Sequence, residues 1–177
     1  MIGNDIVDLE RAEQDSNWRR KGYLQKVFTV DEQKKIENTD TPDVLVWLLW
    51  SMKEAAYKAF SRKLGIRNYA PVKINCLLNT PMTRIREQLA DGDRITILGQ
   101  TAYENNILLT HSIIDNRLRF IHTLAAGDNS ILGKSVIKIC HHSDSSYRLR
   151  NPDSVSHHGR YLALAFHPEN LSIQTKG

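Results

Sequence analysis

Long hydrophobic segments are missing from this sequence of 177 residues. The longest apolar run, Val44 to Trp50, is far shorter than the roughly 20 residues that a membrane-spanning helix needs. The first residues include Asp5, Asp8 and Glu10 without a basic segment, which argues against a signal peptide. We therefore expect no membrane segment and a cytoplasmic location.

Cysteine is also scarce, with only Cys76 and Cys140 in the chain. Both lie in apolar surroundings, which predicts free thiols in a reducing compartment rather than a disulfide framework. No CxxC or HxxxH spacing is present, and adjacent residues on a strand point to opposite faces. The run Cys140-His141-His142 and the pair His157-His158 are therefore poor candidates for a structural zinc site.

Charge of one sign is not concentrated anywhere. The net charge of +4 is small, and the basic residues form no stripe with interleaved aromatics, which argues against a nucleic-acid-binding module. Arg148, Arg150 and Arg160 mark either a phosphate- or carrier-binding patch or a solvated loop. Ser156 and His157 lack the Gly-x-Ser-x-Gly elbow that would favour a Ser-His-Asp hydrolase.

The first third of the chain carries clear signals for a strand and two helices. Ile2 to Asp8 is rich in β-branched residues and predicts a strand. Thr29 and Glu32 have capping-box spacing, which predicts a short helix to about Glu37. Thr41 as a cap and Pro42 at the first helical position open a longer helix, which should end near Leu64 because Gly65 suits a left-handed residue.

After Gly65 the pattern changes to short apolar runs separated by turn residues. These runs predict strands over Val72–Leu78, Arg94–Thr101, Ile107–Ile114 and Leu118–Ala125, followed by a last strand over Tyr161–Phe166. In the fourth run Leu118, Phe120, His122 and Leu124 alternate with the other face. Ser143 to Asp153 is polar and predicts a loop. We expect a single α+β domain over residues 1–177, in which an antiparallel sheet packs against the long helix.

The long helix has two contrasting sides. An apolar stripe that should face the core contains Leu45, Leu48, Leu49, Met52, Ala55, Ala56 and Ala59. Glu54 and Lys58 lie on the other side, four residues apart, and the ordinary explanation is an exposed ion pair. Trp47 and Trp50 project on the same side, so another part of the chain, a partner or a ligand should cover it. Glu54 beside Lys58 is thus also a candidate metal or phosphate site.

The predicted first strand carries acidic residues behind a glycine. Gly3 permits a close approach of another backbone, and Asp5 would project from one face of the strand. Asp5 and Asp8 are either turn-forming or capping carboxylates, or, if Asp5 meets Glu54, part of a magnesium site. Magnesium takes few protein carboxylates and completes its shell with water and phosphates.

Four motifs resemble those of the 4'-phosphopantetheinyl transferases. Ile2-Gly3-Asn4-Asp5-Ile6 resembles the first family motif, and Trp50 to Ala59, with Lys-Glu-Ala and a later Lys, resembles the second. Val27 to Glu32 and Ser154 to His157 resemble two segments of the short, holo-acyl-carrier-protein-synthase type. The resemblance covers roughly residues 1–65 and 153–167, and the β-rich stretch over residues 66–152 is not aligned.

The resemblance implies a metal site and a reaction. Asp5 and Glu54 would hold magnesium, with Asp8 near the metal, and Lys58 would contact the phosphate that is attacked. The implied reaction transfers 4'-phosphopantetheine from coenzyme A to a serine of an apo carrier protein and releases 3',5'-ADP. Either Glu54 or a metal-bound water would take the serine proton.

The resemblance also implies contacts with substrate and partner. Lys53, Ser156 and His157 would bind coenzyme A, and Arg11 would contact an acidic acyl or peptidyl carrier protein. Neither nucleic acid nor membrane is expected as a partner, and the chain would act as a monomer or a homotrimer. The alternative is a non-catalytic relative that binds carrier protein or coenzyme A.

The sequence departs from the family pattern at two positions. Val7 stands where the long type has a second carboxylate, so the metal site resembles that of the short type. His158 replaces the usual small hydroxyl residue after the Ser-His pair. The unaligned stretch over residues 66–152 is longer than in the short type, and its strands would supply contacts that the short type takes from a neighbouring subunit.

Overall fold

The computed structural model describes residues 1–92, 94–115, 117, 119–143 and 151–171. Helices and strands alternate irregularly along the chain, as expected for an α+β fold. In chain order the elements are β1 Ile2–Asp8, α1 Leu9–Asp15, α2 Tyr23–Val27, α3 Val30–Glu37, α4 Pro42–Leu64, β2 Asn75–Leu78, α5 Met82–Ala90, β3 Arg94–Tyr103, β4 Asn106–Asp115, β5 Phe120–Ala126, α6 Asn129–Lys134, β6 Val136–His141, β7 Ser154–His158, β8 Tyr161–Phe166 and α7 Pro168–Leu171.

The larger sheet has five antiparallel strands in the order β1-β5-β4-β3-β2. Strands β2 to β5 form the predicted antiparallel meander, and β1 pairs with β5 from Ile2 opposite Ala126 to Asp8 opposite Phe120. The first strand of the chain is therefore an edge strand whose outward N–H groups need partners from elsewhere.

A smaller antiparallel sheet, in the order β6-β8-β7, supplies those partners. Its strand β7 runs beside β1, and three of its side chains accept hydrogen bonds from alternate main-chain amides of β1: Ser154 from Asn4 at 2.9 Å, Ser156 from Ile6 at 3.1 Å and His158 from Asp8 at 3.0 Å. Apolar side chains of β8 pack against β1 and β5 behind this seam. The second sheet thus covers one face and the edge of the first.

Helix α4 lies across the other face of the larger sheet. All residues of the predicted apolar stripe are buried, which confirms the helix orientation read from its periodicity. Gly3 is the point of closest packing, since a Cβ there would lie 2.1 Å from the carbonyl oxygen of Ala55. Gly65 has a φ of 67° and ends the helix as predicted, but the Thr41 side chain makes no capping hydrogen bond.

The capping box that begins α3 is present in full. The Thr29 hydroxyl accepts from the amide of Glu32 at 3.3 Å, and the Glu32 carboxylate accepts from the amide of Thr29 at 2.8 Å. This arrangement also turns the second carboxylate oxygen of Glu32 towards the interior, where it accepts from the amide of Cys76 at 2.8 Å.

Several predicted boundaries need correction. The strand predicted from Val72 begins only at Asn75, because Pro71–Lys73 forms a 3-10 turn in which the Pro71 carbonyl oxygen accepts from the buried Lys53. The sequence patterns did not indicate helices α1, α2, α5, α6 and α7 or strand β6. Leu118 and most of the loop predicted between Ser143 and Asp153 lie outside the described residues.

Two further predictions concern cysteines and membranes. Among the described residues Cys76 and Cys140 form no disulfide, as predicted, and Cys76 is buried. Over the part of the chain that the structure describes, we find no helix with the length and apolar character needed to cross a membrane.

Candidate active site

A cavity of about 360 Å³ opens where β1, α4 and β7 meet. The first and second motifs and the Ser-His segment all contribute to its wall, although they are separated by many residues in the chain. Its lining consists of Asp5, Ile6, Val7, Trp47, Trp50, Glu54, Lys58, Val155, Ser156, His157 and His158. The two tryptophans that the helical wheel placed beside Glu54 therefore form part of a concave surface rather than a solvated face.

Asp5 lies at the bottom of this cavity on strand β1. Its side chain is only 10% exposed, and its Oδ1 accepts hydrogen bonds from Lys58 Nζ at 3.0 Å and from the Ser156 hydroxyl at 2.8 Å. Burial raises the pKa of Asp5, and the charge and hydrogen bond of Lys58 only partly oppose this effect. The lysine and the serine therefore hold the carboxylate in one position.

Glu54 faces Asp5 from one turn earlier on helix α4 than Lys58. Its pKa is raised first by burial and then by the negative charge of Asp5, with Lys58 opposing both. Lys58 itself is partly exposed and also donates to the carbonyl oxygen of Asn4 at 3.0 Å. Lys58 thus lies beside two carboxylates, those of Asp5 and Glu54. The exposed ion pair that the sequence predicted for Glu54 and Lys58 is instead part of a partly buried cluster with two acidic groups and one basic group.

Tyr69 is a residue of this site that no sequence pattern indicated. It lies in the loop after α4, where its ring contacts those of Trp50 and Tyr57 at centroid distances of 6.1 and 4.6 Å. Its buried hydroxyl has no well-formed hydrogen bond among the described residues. Burial and the nearby charge of Glu54 raise its pKa, so the phenol remains a proton donor beside that carboxylate.

Strand β7 presents the Ser-His segment to the cavity. Ser156 is buried and its hydroxyl joins Asp5 to the Ile6 amide. His157 is exposed, lines the cavity and contacts the ring of His142 at a centroid distance of 5.8 Å. Both residues therefore line the cavity, and their contacts with coenzyme A stay a prediction.

Asp8 requires a correction. Its carboxylate is 1% exposed and accepts from Arg160 through Nε at 2.8 Å, Nη2 at 2.8 Å and the main-chain amide at 3.0 Å. Burial alone would raise the pKa of Asp8, but these hydrogen bonds outweigh it and lower the pKa from 3.8 to about 2. Because both oxygens are engaged and the side chain lies outside the cavity lining, Asp8 is not placed as a direct metal ligand, and a role near the metal through water stays a prediction.

Lys53 also requires a correction. Its ammonium group is fully buried, forms an ion pair with Glu32 at 2.8 Å and donates to the carbonyl oxygens of Pro71 and Ile74. Lys53 points away from the cavity side of α4, towards α3 and the turn before β2. It therefore holds these elements together and is not placed to bind a coenzyme A phosphate.

Arg11 lies on helix α1 beside a neighbouring cavity of about 450 Å³. Its side chain is 54% exposed and pairs with Asp15 one turn later. This position leaves the residue accessible to a protein partner, and its contact with a carrier stays a prediction. Arg160, from the basic set named above, is engaged by Asp8 and Glu10, whereas Arg148 and Arg150 lie outside the described residues.

The donor set at the bottom of the cavity fits a hard divalent cation. Asp5 and Glu54 offer carboxylate oxygens beside one shared lysine, and burial raises the pKa of both. No group of three or more His, Cys, Asp or Glu side chains is gathered for a metal among the described residues. Two carboxylates without a closed cage suit magnesium, which keeps several water or phosphate ligands.

Comparisons with known proteins agree with the motifs. The family model described as "4'-phosphopantetheinyl transferase superfamily" matches residues 1–106, through strands β2 and β3. A holo-[acyl-carrier-protein] synthase of Verminephrobacter eiseniae is 41% identical over 59 residues, which is 33% of this chain and 45% of that protein. That of Fusobacterium nucleatum is 28% identical over 114 residues, 63% of this chain and 88% of that protein.

A solved structure adds a weaker likeness. The crystal structure of Thermotoga maritima holo-[acyl-carrier-protein] synthase superposes with a TM-score of 0.42 at 13% identity, covering 98% of this chain and 88% of that one. The chain spans less than half of the first of the two curated relatives. Because the family model matches more than half of the sequence, this chain belongs to the 4'-phosphopantetheinyl transferase superfamily.

Proposed function

We propose that the protein transfers the 4'-phosphopantetheine group of coenzyme A to a serine of an apo carrier protein, with magnesium, and releases 3',5'-ADP. The observation that carries this proposal is the meeting of Asp5, Glu54 and Lys58 in one cavity. These residues come from two motifs about 50 positions apart in sequence, and neither motif alone predicts a pocket. Family membership and the two synthases named above support the same reaction.

The reaction is a phosphoryl transfer, in which positioning and charge neutralisation contribute most to catalysis. The serine oxygen forms a new bond to the phosphorus attached to pantetheine, and the bond from that phosphorus to 3',5'-ADP breaks. When bound by Asp5 and Glu54, magnesium would supply positive charge for the pyrophosphate oxygens.

The chain's own residues orient the reactants. Lys58 is fixed by Asn4 and Asp5 at the cavity wall, from where its ammonium group can meet a phosphate oxygen. Ser156 fixes the orientation of Asp5 by donating to Oδ1. Trp47 and Trp50 form the apolar side of the cavity, which limits the access of water to the reacting phosphate.

Intact-mass spectrometry of the carrier tests the proposal. The protein is incubated with coenzyme A, magnesium and an apo acyl carrier protein, and the carrier should gain the mass of one phosphopantetheine. The gain should disappear when magnesium is chelated and in Glu54→Gln. Glu87→Gln, on an exposed face of α5, is the matched control and should leave the gain unchanged. If several carriers gain no mass while coenzyme A still binds, the protein is a non-catalytic binder.

A further inference from the structure

Tyr69 packs against the side of helix α4 that carries Glu54. Trp50, Glu54 and Tyr57 follow one another along the helix at spacings of four and three residues, so they share one stripe of its surface. The ring of Tyr69 contacts both aromatic members of this stripe, Trp50 edge-on at a centroid distance of 6.1 Å and Tyr57 at 4.6 Å. A ring that contacts the residues on both sides of Glu54 lies beside the carboxylate between them.

The loop that carries Tyr69 is attached to α4 on both sides of that residue. Before it, the hydroxyl of Tyr57 donates to the carbonyl oxygen of Arg67 at 3.3 Å. After it, the buried ammonium group of Lys53 donates to the carbonyl oxygen of Pro71 at 3.0 Å. Both donors belong to the helix that carries the cavity glutamate. The loop, and with it the Tyr69 ring, is therefore fixed relative to that glutamate by packing and by hydrogen bonds.

The hydroxyl of Tyr69 is a buried donor with an acidic neighbour. Its oxygen has no well-formed hydrogen bond within the part of the chain that the structure describes, and a buried hydroxyl without a partner costs free energy. Burial raises the pKa of Tyr69, and the charge of Glu54 and the approach of its carboxylate to the hydroxyl raise it further. Glu54 lines the cavity, whereas Tyr69 does not. The hydroxyl can therefore reach this carboxylate from outside the space that a ligand would occupy.

We propose that Tyr69 is a positioning residue, whose hydroxyl donates to the Glu54 carboxylate and orients the free oxygen lone pairs of that group towards a divalent cation. The inference rests on the proposed function, in which Asp5 and Glu54 hold magnesium. The two carboxylates are then treated alike, because Asp5 already accepts from the Ser156 hydroxyl at 2.8 Å. A neutral hydroxyl donor fixes a carboxylate ligand without cancelling the charge that attracts the cation, as expected for partners of metal ligands.

Tyr69→Phe tests the inference without any substrate. The substitution keeps the ring and its packing against Trp50 and Tyr57 and removes only the hydroxyl. We expect the variant to bind Mn²⁺, a probe for the magnesium site that electron paramagnetic resonance detects, about tenfold more weakly than the wild type. Tyr103→Phe is the matched control, because Tyr103 packs against Phe60 on the same helix at a centroid distance of 5.9 Å, and it should keep the wild-type affinity. An unchanged Mn²⁺ affinity in Tyr69→Phe would overturn the inference.

Transfer kinetics distinguish positioning of Glu54 from general packing of the cavity wall. In Tyr69→Phe the magnesium concentration for half-maximal transfer should rise about tenfold, while KM for coenzyme A at saturating magnesium should stay within about twofold of the wild type. An equal rise in both constants would assign Tyr69 to packing and overturn the inference. If the wild type binds Mn²⁺ tenfold more tightly than Tyr69→Phe but transfers no phosphopantetheine to any carrier, the proposed function fails and the role of Tyr69 at the cation site stands.

A measurement on the unaltered protein covers the case in which Tyr69→Phe does not fold. The ¹³Cζ chemical shift of a tyrosine responds to the hydrogen bond of its hydroxyl. Magnesium should therefore move the ¹³Cζ signal of Tyr69, because the cation draws charge from the carboxylate that accepts the bond, and it should leave the signal of Tyr103 in place. A Tyr69 signal that does not respond to saturating magnesium would refute the assignment.

Discussion

The pair formed by Asp8 and Arg160 should stabilise the fold in a pH-dependent way. Asp8 joins the end of β1 to the turn between β7 and β8, and its carboxylate is almost completely buried. Replacement by Asn keeps a side-chain oxygen that can still cap helix α1 but removes the charge. The difference in unfolding free energy between wild type and Asp8→Asn therefore reports the ionic contribution.

The size of this contribution follows from the pKa of Asp8. A pKa lowered from 3.8 to about 2 corresponds to at most about 2.5 kcal/mol at neutral pH, at 1.36 kcal/mol per pH unit. The Arg160 side chain is 44% exposed, so solvent screens the interaction and we expect about 1–2 kcal/mol. Because the folded pKa is lowered, the stabilisation is complete above the unfolded pKa and is lost as the pH falls through the folded pKa.

Urea denaturation followed by circular dichroism measures this difference. Wild type and Asp8→Asn should differ by about 1–2 kcal/mol between pH 6 and 7, and the difference should shrink steadily below pH 4. Asp40→Asn removes an exposed partner of Arg86 and serves as a control with a smaller effect. A difference that stays constant down to pH 2.5, or its absence at pH 7, would refute the proposed origin of the stability.

Three further substitutions test the site and the packing around it. Glu54→Gln should raise the melting temperature at pH 7. The pKa of Glu54 is raised in the folded protein, so its ionised form destabilises the fold at neutral pH and the substitution removes this effect. The increase in melting temperature should vanish below about pH 4, where Glu54 is protonated in the wild type as well. Gly3→Ala should lower the unfolding free energy by more than about 2 kcal/mol, since its Cβ would meet the backbone of α4. Gly159→Ala should lower it by about 1–3 kcal/mol, because the residue has a φ of 52° and a Cβ there would lie 2.5 Å from a carboxylate oxygen.

The sequence contains much of the information needed for the scaffold around the site. The stripe from Leu45 to Ala59 recurs at helical spacing and predicts which side of α4 is buried, while Gly65 predicts where the helix ends. Both features depend only on residues within or next to one helix, so the sequence pattern is sufficient to predict them. The proximity of Asp5 and Glu54 depends on how β1 and α4 pack in the tertiary structure, and only the family resemblance could predict it.

The surroundings of Lys53 and Asp8 show where prediction from local sequence ends. Lys53 lies next to Glu54 in the second motif, yet it is also four residues after Leu49 and so borders the buried stripe. A lysine in that position can extend to solvent or find a buried partner, and the choice depends on Glu32 in another helix. The environment of the Asp8 carboxylate likewise depends on Arg160, which is 152 residues away in the sequence.

The buried pair of Lys53 and Glu32 is fully satisfied by its surroundings. The ammonium group has the carboxylate and the carbonyl oxygens of Pro71 and Ile74 as acceptors. The carboxylate also accepts from the amide of Cys76 at 2.8 Å. Such a pair contributes little net stability compared with well-packed apolar residues, but the loss of one partner leaves an uncompensated charge in the interior.

The two assignments of Lys53 therefore predict different results in a double-mutant cycle. Lys53→Met alone should lower the unfolding free energy by about 3–5 kcal/mol, because the Glu32 charge loses its partner. Lys53→Met combined with Glu32→Gln should recover part of that loss, since no buried charge remains. If Lys53 is structural, the stable double variant should bind coenzyme A with the affinity of the wild type. If Lys53 is a phosphate contact, the affinity of the double variant for coenzyme A should fall about tenfold or more despite the recovered stability. Calorimetry on the double variant thus separates a lysine that holds α4 to α3 from one that holds the substrate.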